Sequence, residues 1–152
     1  MKNARVLGII TANAGVVHII AGGITYLTIR HELAAERITV AADAAHFAGQ
    51  PVKGPFTAFA QAEIIKKHAN EIGGGKTYSE LDKDDPKRQT VMTASFLRAS
   101  LFTSVVAFGV AALVMGLGLL FILVGAAIVA LANGREPDAP LEPAADSGAV
   151  AV

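Results

Sequence analysis

The longest uncharged stretch of the chain, Leu101 to Leu131, constrains its fold more than any other feature. It reads LFTSVVAFGVAALVMGLGLLFILVGAAIVAL. Its 31 residues would form roughly 46 Å of α-helix, which exceeds the ~30 Å hydrocarbon core of a bilayer. A second apolar run extends from Val6 to Ile29. Two such runs predict an all-α membrane protein whose two transmembrane helices form an antiparallel hairpin.

The pattern divides the chain into five segments. They are a short basic N-terminus (1–5), a first transmembrane helix (6–29), an extramembrane segment (30–97), a second transmembrane helix (98–132) and a disordered acidic tail (133–152). The first run is longer than the apolar core of a signal peptide, so an uncleaved anchor is expected, with cleavage near the VAADA sequence as the alternative.

The extramembrane segment is expected to be mostly helical. An amphipathic helix is predicted at about 55–72, because Pro55 suits a first helical position and three glycines follow Ile72. Its apolar face should carry Phe56, Ala60 and Ile64. This helix could pack on the membrane-proximal core or dock a partner protein.

Composition excludes several classes of function. Thirteen basic residues balance thirteen acidic ones, so the zero net charge argues against a nucleic-acid-binding protein. The absence of cysteine excludes thiolate metal sites and disulfides. The GGGKT sequence ending at Thr77 lacks the preceding glycine of a phosphate-binding loop. No catalytic residue, cofactor or metal site is predicted.

Small and hydroxyl residues form stripes on both predicted spans. Small residues let membrane helices approach closely, so these stripes predict packing faces. The first span carries a seven-residue repeat of Thr11, Gly15, His18, Gly22 and Thr25. The second span carries Gly118 and Gly125 at seven-residue spacing, with Ala112 and Gly116 as an additional small pair.

Two polar side chains in the first span have a further interpretation. His18 either packs within the stripe or acts as a proton carrier or ligand, because intramembrane ionisable groups are often functional. Asn13 lies roughly opposite the stripe, where a carboxamide facing lipid would be costly. It therefore favours self-association, unless it lies near enough to the membrane surface to reach water.

The charges that flank the spans predict an orientation. Lys2, Arg5 and Arg135 favour cytoplasmic termini, which would place the middle segment outside the plasma membrane. Arg30 and Arg98 are expected at the membrane surface, where their long side chains can reach headgroups or a carboxylate.

Three sequence blocks carry a family resemblance: GPFTAFAQAEIIKKHA, GGKTYSELDKDDP and VMTASFLRASLFTSVVAFGVAALVMGLG. Over about 37–118 the chain resembles a family of small two-span actinobacterial membrane proteins. Members are often labelled as similar to the small subunit of aromatic ring-opening dioxygenases. The resemblance implies a membrane-bound enzyme subunit and assigns no role to any residue.

The residues themselves favour a non-enzymatic membrane accessory or structural subunit. It would associate through the small-residue helix faces, as a homo-oligomer or in a larger membrane complex, and through a partner-contacting middle segment. The alternatives are a membrane-bound enzyme subunit or redox or proton carrier that uses His18, and a small oligomeric pore. Two spans enclose a path only after oligomerising.

Overall fold

The described part of the chain is built from three α-helices. The structure, a computed structural model, describes residues 2–134, and its helices are α1 (Lys2–Ala35), α2 (Pro55–Ile72) and α3 (Arg88–Gly134). Within this range the chain is helical apart from turns and one isolated β-bridge. Helices α1 and α3 are long and apolar enough to cross a membrane. Apart from Asn133 and Gly134, the predicted acidic tail lies outside the described residues.

Helices α1 and α3 pack against each other through glycines. Gly8 faces Gly125, Gly15 faces Gly118, and Gly22 faces Ala111. Each step of seven residues forward in α1 corresponds to seven residues backward in α3, so the helices run in opposite directions. A Cβ at Gly118 would lie 2.6 Å from the carbonyl oxygen of Gly15. The two backbones are therefore closer than any side chain would permit.

The same register shows that α3 extends well past α1. Continuing the seven-residue steps places Ile29 level with Ser104. In this register Ala35, the last residue of α1, is level with Arg98, so residues 88–97 of α3 project beyond α1 by roughly 15 Å at 1.5 Å per residue. No proline lies between Pro86 and the end of the apolar run. The helix can therefore begin soon after Pro86, before the predicted span.

The segment between the long helices packs as a small cap around the projecting part of α3. Its single bridge pairs Thr39 with Pro51, and the amide of Val52 donates to the carbonyl of Ile38 at 2.8 Å. Within the predicted extramembrane segment, 30–97, the helical residues belong to α2 and to the ends of α1 and α3. Residues of the cap share one buried cluster with both long helices: Leu33, Val40, Val52, Ala58, Ala62, Leu101 and Phe108.

Helix α2 has the predicted ends but a different buried face. It begins at Pro55 and ends at Ile72, with the amide of Gly73 donating to Ala69 at 2.9 Å. Ala58 and Ala62 are completely buried, whereas Phe56 is 74% exposed and Ala60 is partly buried. Of the predicted apolar face, Ile64 alone is fully buried. The buried face of α2 carries small alanines, because small side chains let α2 approach α3 closely. Bulky side chains at these positions would prevent this approach.

The glycine contact can be tested with two substitutions that add the same atom. Gly118→Ala should destabilise the α1–α3 pair by about 1–3 kcal/mol, because the new Cβ meets backbone and the side chain of Ile19. Gly116→Ala is the matched control, since a Cβ there has nothing within 4 Å and should gain helix propensity. Thermal unfolding in detergent measures both. Equal stability of the two variants would contradict the close approach.

Candidate functional site

The glycines singled out from the sequence lie at the contact between α1 and α3. Gly15, Gly22, Gly118 and Gly125 are all buried there. The pair Ala112 and Gly116 lies instead on the exposed side of α3. This pair is therefore available to lipid or to another protein, and does not contribute to the α1–α3 packing.

The polar side chains of α1 bond to their own helix. Thr11 donates to the carbonyl of Leu7 and Thr25 to that of Ala21, both at 2.9 Å. Thr11 is partly buried beside the glycine contact, while Thr25 is exposed. Bonding to the carbonyl four residues earlier satisfies each hydroxyl proton, so neither threonine needs a partner from another helix.

His18 packs between the two long helices. Its Nδ1 lies 2.7 Å from the carbonyl oxygen of Ala14, which defines Nδ1 as the protonated nitrogen in a neutral ring. The ring meets Phe121 of α3 edge-on, with 5.4 Å between ring centroids. An imidazole held by its own backbone and by an aromatic ring supports the packing interpretation of His18.

Asn13 is exposed on the outer surface of the helix pair. Its Nδ2 donates to the carbonyl of Ile9 at 2.9 Å, which uses one of the two amide protons. It lines a shallow groove of about 480 Å³ whose other walls include Ala12, Gly125 and Ala126. The groove thus combines small residues with branched aliphatic side chains from both helices, and Asn13 and Asn133 add two carboxamides to its lining.

Arg98 is the centre of the polar contacts between α2 and α3. Its guanidinium nitrogen Nη2 lies 3.7 Å from Glu63 of α2. The same group lies over the ring of Phe102 at 5.1 Å, and Phe102 in turn packs edge-on against Phe59 at 5.7 Å. Arg98 therefore reaches a carboxylate, as one of the two predicted alternatives. Arg30 is exposed near the end of the α1 apolar run.

A second polar cluster fastens the connecting loop to α2. Nε2 of His68 donates to Oδ2 of Asp43 at 2.8 Å, and Nζ of Lys67 lies 3.3 Å from the same oxygen. The hydrogen bond from His68, supported by that from Lys67, lowers the pKa of Asp43 below its ordinary value. The loop amide of Ala41 donates to Gln61 at 3.0 Å and adds a further attachment.

A capping contact forms within the turn after α2. The backbone amide and the hydroxyl of Thr77 both donate to Oε2 of Glu80 at 2.8 Å. These two bonds lower the pKa of Glu80. No regular helix follows Thr77 before α3, because the chain turns at Asp82–Pro86. Arg88 closes this turn by donating to the carbonyl of Leu81 at 2.7 Å.

An aromatic patch lies where the cap meets the long helices. It comprises Phe47, Phe56 and Phe59, which line a cavity of about 420 Å³. Phe47 has φ of +60°, an unusual backbone conformation for a bulky residue. Such conformations are often found at functional positions, where surrounding contacts hold them. The sequence analysis missed Phe47, since nothing in its local pattern distinguishes it.

Chemical groups that could hold a metal are dispersed. Among residues 2–134, no cluster of three or more histidine or acidic side chains is arranged to hold a metal ion. His31 lies beside Glu32 at the exposed end of α1, and His46 is exposed in the loop. No protein-family model, curated protein or solved structure matches this chain.

The Asp43 contact predicts a pH-dependent attachment of the loop. Because the pKa of Asp43 is lowered in the folded state, its stabilising contribution is complete above the unfolded pKa of about 4. It is lost as the pH falls from there through the lowered pKa. Asp43→Asn should therefore reduce hydrogen-exchange protection of the peptide covering residues 40–50 near neutral pH, and match the unsubstituted chain in strong acid.

Asp84→Asn is the control for this measurement, because Asp84 is an exposed carboxylate in a different loop. It should leave protection of residues 40–50 unchanged at every pH. Equal protection of the Asp43→Asn variant and the unsubstituted chain near neutral pH would show that Asp43 does not fasten the loop.

Proposed function

We propose that this chain is a two-span integral membrane protein that acts as a non-enzymatic accessory or structural subunit. The proposal is supported by the way α1 and α3 pack, with small residues between the helices and large apolar residues on the outside. Their contact is lined by glycines, while bulky aliphatic side chains such as Val17 and Leu113 face outward. A water-soluble helix pair buries its large apolar residues, whereas lipid favours small residues between helices.

The outward apolar surface supports insertion as a transmembrane hairpin. Val17 is 63% exposed and Leu113 is 62% exposed, and each lies in the middle of its helix. Exposing such side chains to water costs about 25 cal/mol for each Å² of apolar area. Surrounding acyl chains remove this cost. The two spans would then be residues 6–29 of α1 and 104–127 of α3, which lie side by side in the glycine register. Each span is about 36 Å long.

The orientation follows from the charges at the two ends of this pair. Lys2 and Arg5 lie at the start of α1, on the side where α3 ends, and favour the cytoplasmic side of the plasma membrane. The cap would then lie outside. This arrangement keeps the large extramembrane segment on one side and both termini on the other.

Contact with a partner is assigned to the aromatic patch. The pairs Phe59–Phe102 and Glu63–Arg98 show that α2 runs opposite to α3, so Phe56 lies roughly 4.5 Å nearer the spans than Phe59. Its exposed ring therefore lies close to the membrane surface. Exposed aromatic residues are typical of protein contacts, and this position fits another integral membrane protein as the partner.

The groove beside Asn13 supports self-association as the second mode of assembly. A carboxamide offers both donors and an acceptor, so two copies can bond reciprocally across a symmetric contact. The small residues of the groove, Ala12, Gly125 and Ala126, would let the two helix pairs approach at these positions. Polar contacts of this kind between membrane helices are worth about 0.6–2 kcal/mol each.

The hairpin and its orientation can be tested by cysteine labelling, since the chain has no native cysteine. We expect Val17→Cys and Leu113→Cys to resist a water-soluble maleimide until detergent is added, because both would face acyl chains. Asp84→Cys should react in intact cells, and Lys2→Cys should react only after permeabilisation. Rapid labelling of Val17→Cys in intact membranes would contradict the hairpin. Protection of Asp84→Cys until lysis would reverse the orientation.

The accessory role can be tested by purification in a gentle detergent. The unsubstituted chain should retain a different membrane protein, and the double variant Phe47→Ser, Phe56→Ser should lose it. Phe96→Ser is the matched control, since Phe96 is also an exposed aromatic residue but does not line the aromatic patch. Native mass measurement identifies the retained chains. A homo-oligomer without another protein would indicate assembly through the Asn13 groove alone. A monomer with nothing bound would contradict both partner binding and self-association.

A further inference from the structure

An open cleft on the side of the cap combines several cationic side chains. It lies between α2 and α3 and has a volume of about 440 Å³. We name it the cationic cleft. Its charged lining consists of four cations and one carboxylate: Lys66, Lys67, Lys76, Arg98 and Glu63.

Two of these cations form no direct ion pair. Lys66 and Lys76 form no ion pair with any carboxylate among residues 2–134. Lys67, by contrast, is directed to Asp43. Glu80 accepts its hydrogen bonds from Thr77, and its charge interacts with that of Lys76 without a direct ion pair. The cleft therefore keeps excess positive charge after its own ion pairs are formed.

Arg98 at the lower end of the cleft is held in place and incompletely bonded. Its guanidinium lies over Phe102 and near Glu63, which fixes its plane. Its Nε atom is buried and has no hydrogen-bond partner within the described part of the chain. A guanidinium has five N–H donors and binds planar or tetrahedral oxyanions through pairs of them. The Arg98 side chain is 37% exposed, so its terminal nitrogens keep N–H donors for an anion in the cleft.

The lower end of the cleft, at Arg98, lies near the height of lipid headgroups if α1 and α3 span a membrane, and the cleft extends outward from there to Val91. The proposed span of α3 begins at Ser104. Arg98 precedes Ser104 by six residues, so it lies roughly 9 Å outside this span. Below it, the rings of Phe102 and Phe59 continue toward the apolar surface. A ligand in the cleft would thus have cations around its polar end and aromatic rings beneath it.

We propose that the cationic cleft binds the phosphate group of an anionic phospholipid. The proposal rests on the proposed membrane insertion, and it adds a specific ligand to the outer surface of the cap. Lys66, Lys76 and Arg98 contact the phosphate oxygens, while the acyl chains pass along Phe102 and Phe59. Free phosphate has the same polar chemistry, but it would leave the aromatic surface below the cleft unused.

The test uses the purified full chain titrated with phosphatidylglycerol or phosphatidylcholine, with bound lipid counted by native mass spectrometry. The unsubstituted chain should bind phosphatidylglycerol more tightly. The double variant Lys66→Gln, Lys76→Gln should lose roughly fivefold in affinity for each lysine removed. Both side chains are exposed, so the variant is expected to fold.

The matched control is Lys83→Gln, Lys87→Gln, which removes the same charge from exposed positions outside the cleft. Its lipid affinity should equal that of the unsubstituted chain. Equal loss in both double variants would mean a general effect of charge and overturn the site. Unchanged affinity in Lys66→Gln, Lys76→Gln would overturn it as well. Displacement of phosphatidylglycerol by an equal concentration of inorganic phosphate would overturn the lipid as the source of the phosphate.

Flotation with phosphatidylcholine vesicles separates this proposal from the membrane proposal on which it depends. A chain that floats and prefers phosphatidylglycerol supports both. A chain that floats without a preference overturns the lipid site alone. A chain that remains in solution overturns the membrane insertion, and the lipid site with it.

Discussion

The close approach of α1 and α3 at their glycines is the contact on which the rest of the molecule depends. Between apolar helices in lipid, the hydrophobic effect gives little preference for helix contact over lipid contact, so packing must come from short-range attraction. A glycine opposite a glycine maximises that attraction, because backbone meets backbone along the seam. The seven-residue repeat on each helix fixes one register. That register determines how far α3 projects and hence where the cap can be built.

The cap is fastened to the long helices by a shared core. Val40 and Val52 of the connecting segment are buried with Leu101 and Phe108 of α3. Ala58 on α2 completes the contact, and the Asp43–His68 bond closes the outer side. These residues share one core, so the cap is packed directly on the upper part of α3. The aromatic rings of α2 are left outward as a consequence of the small side chains that face inward.

The parts of this fold that could be predicted from the sequence are those marked by a regular residue spacing. The stripe through Gly15 and Gly22, and that through Gly118 and Gly125, follow from seven-residue spacing, and Gly8 has the same spacing but was overlooked. The predicted buried face of α2 was wrong for Phe56, which is exposed, whereas Ile64 is buried and Ala60 packs against the core. The Asp43–His68 bond joins positions 25 residues apart, and no local pattern reports such a contact. The same limit applies to the cationic cleft, whose lysines come from α2 and the following turn.

A ligand at the cap would act on the spans directly, because Arg98 belongs to α3. Its guanidinium contacts Glu63 of α2 and the ring of Phe102, so one side chain links the cap, the cleft and the start of the apolar helix. Removing either partner would leave a half-buried cation with fewer contacts, which is costly in a region of low dielectric. An anion in the cleft would have the opposite effect, since it supplies acceptors to Arg98 and neutralises the lysines. Lipid composition at the membrane surface would then affect how firmly α2 holds α3, and through α2 the position of the aromatic patch.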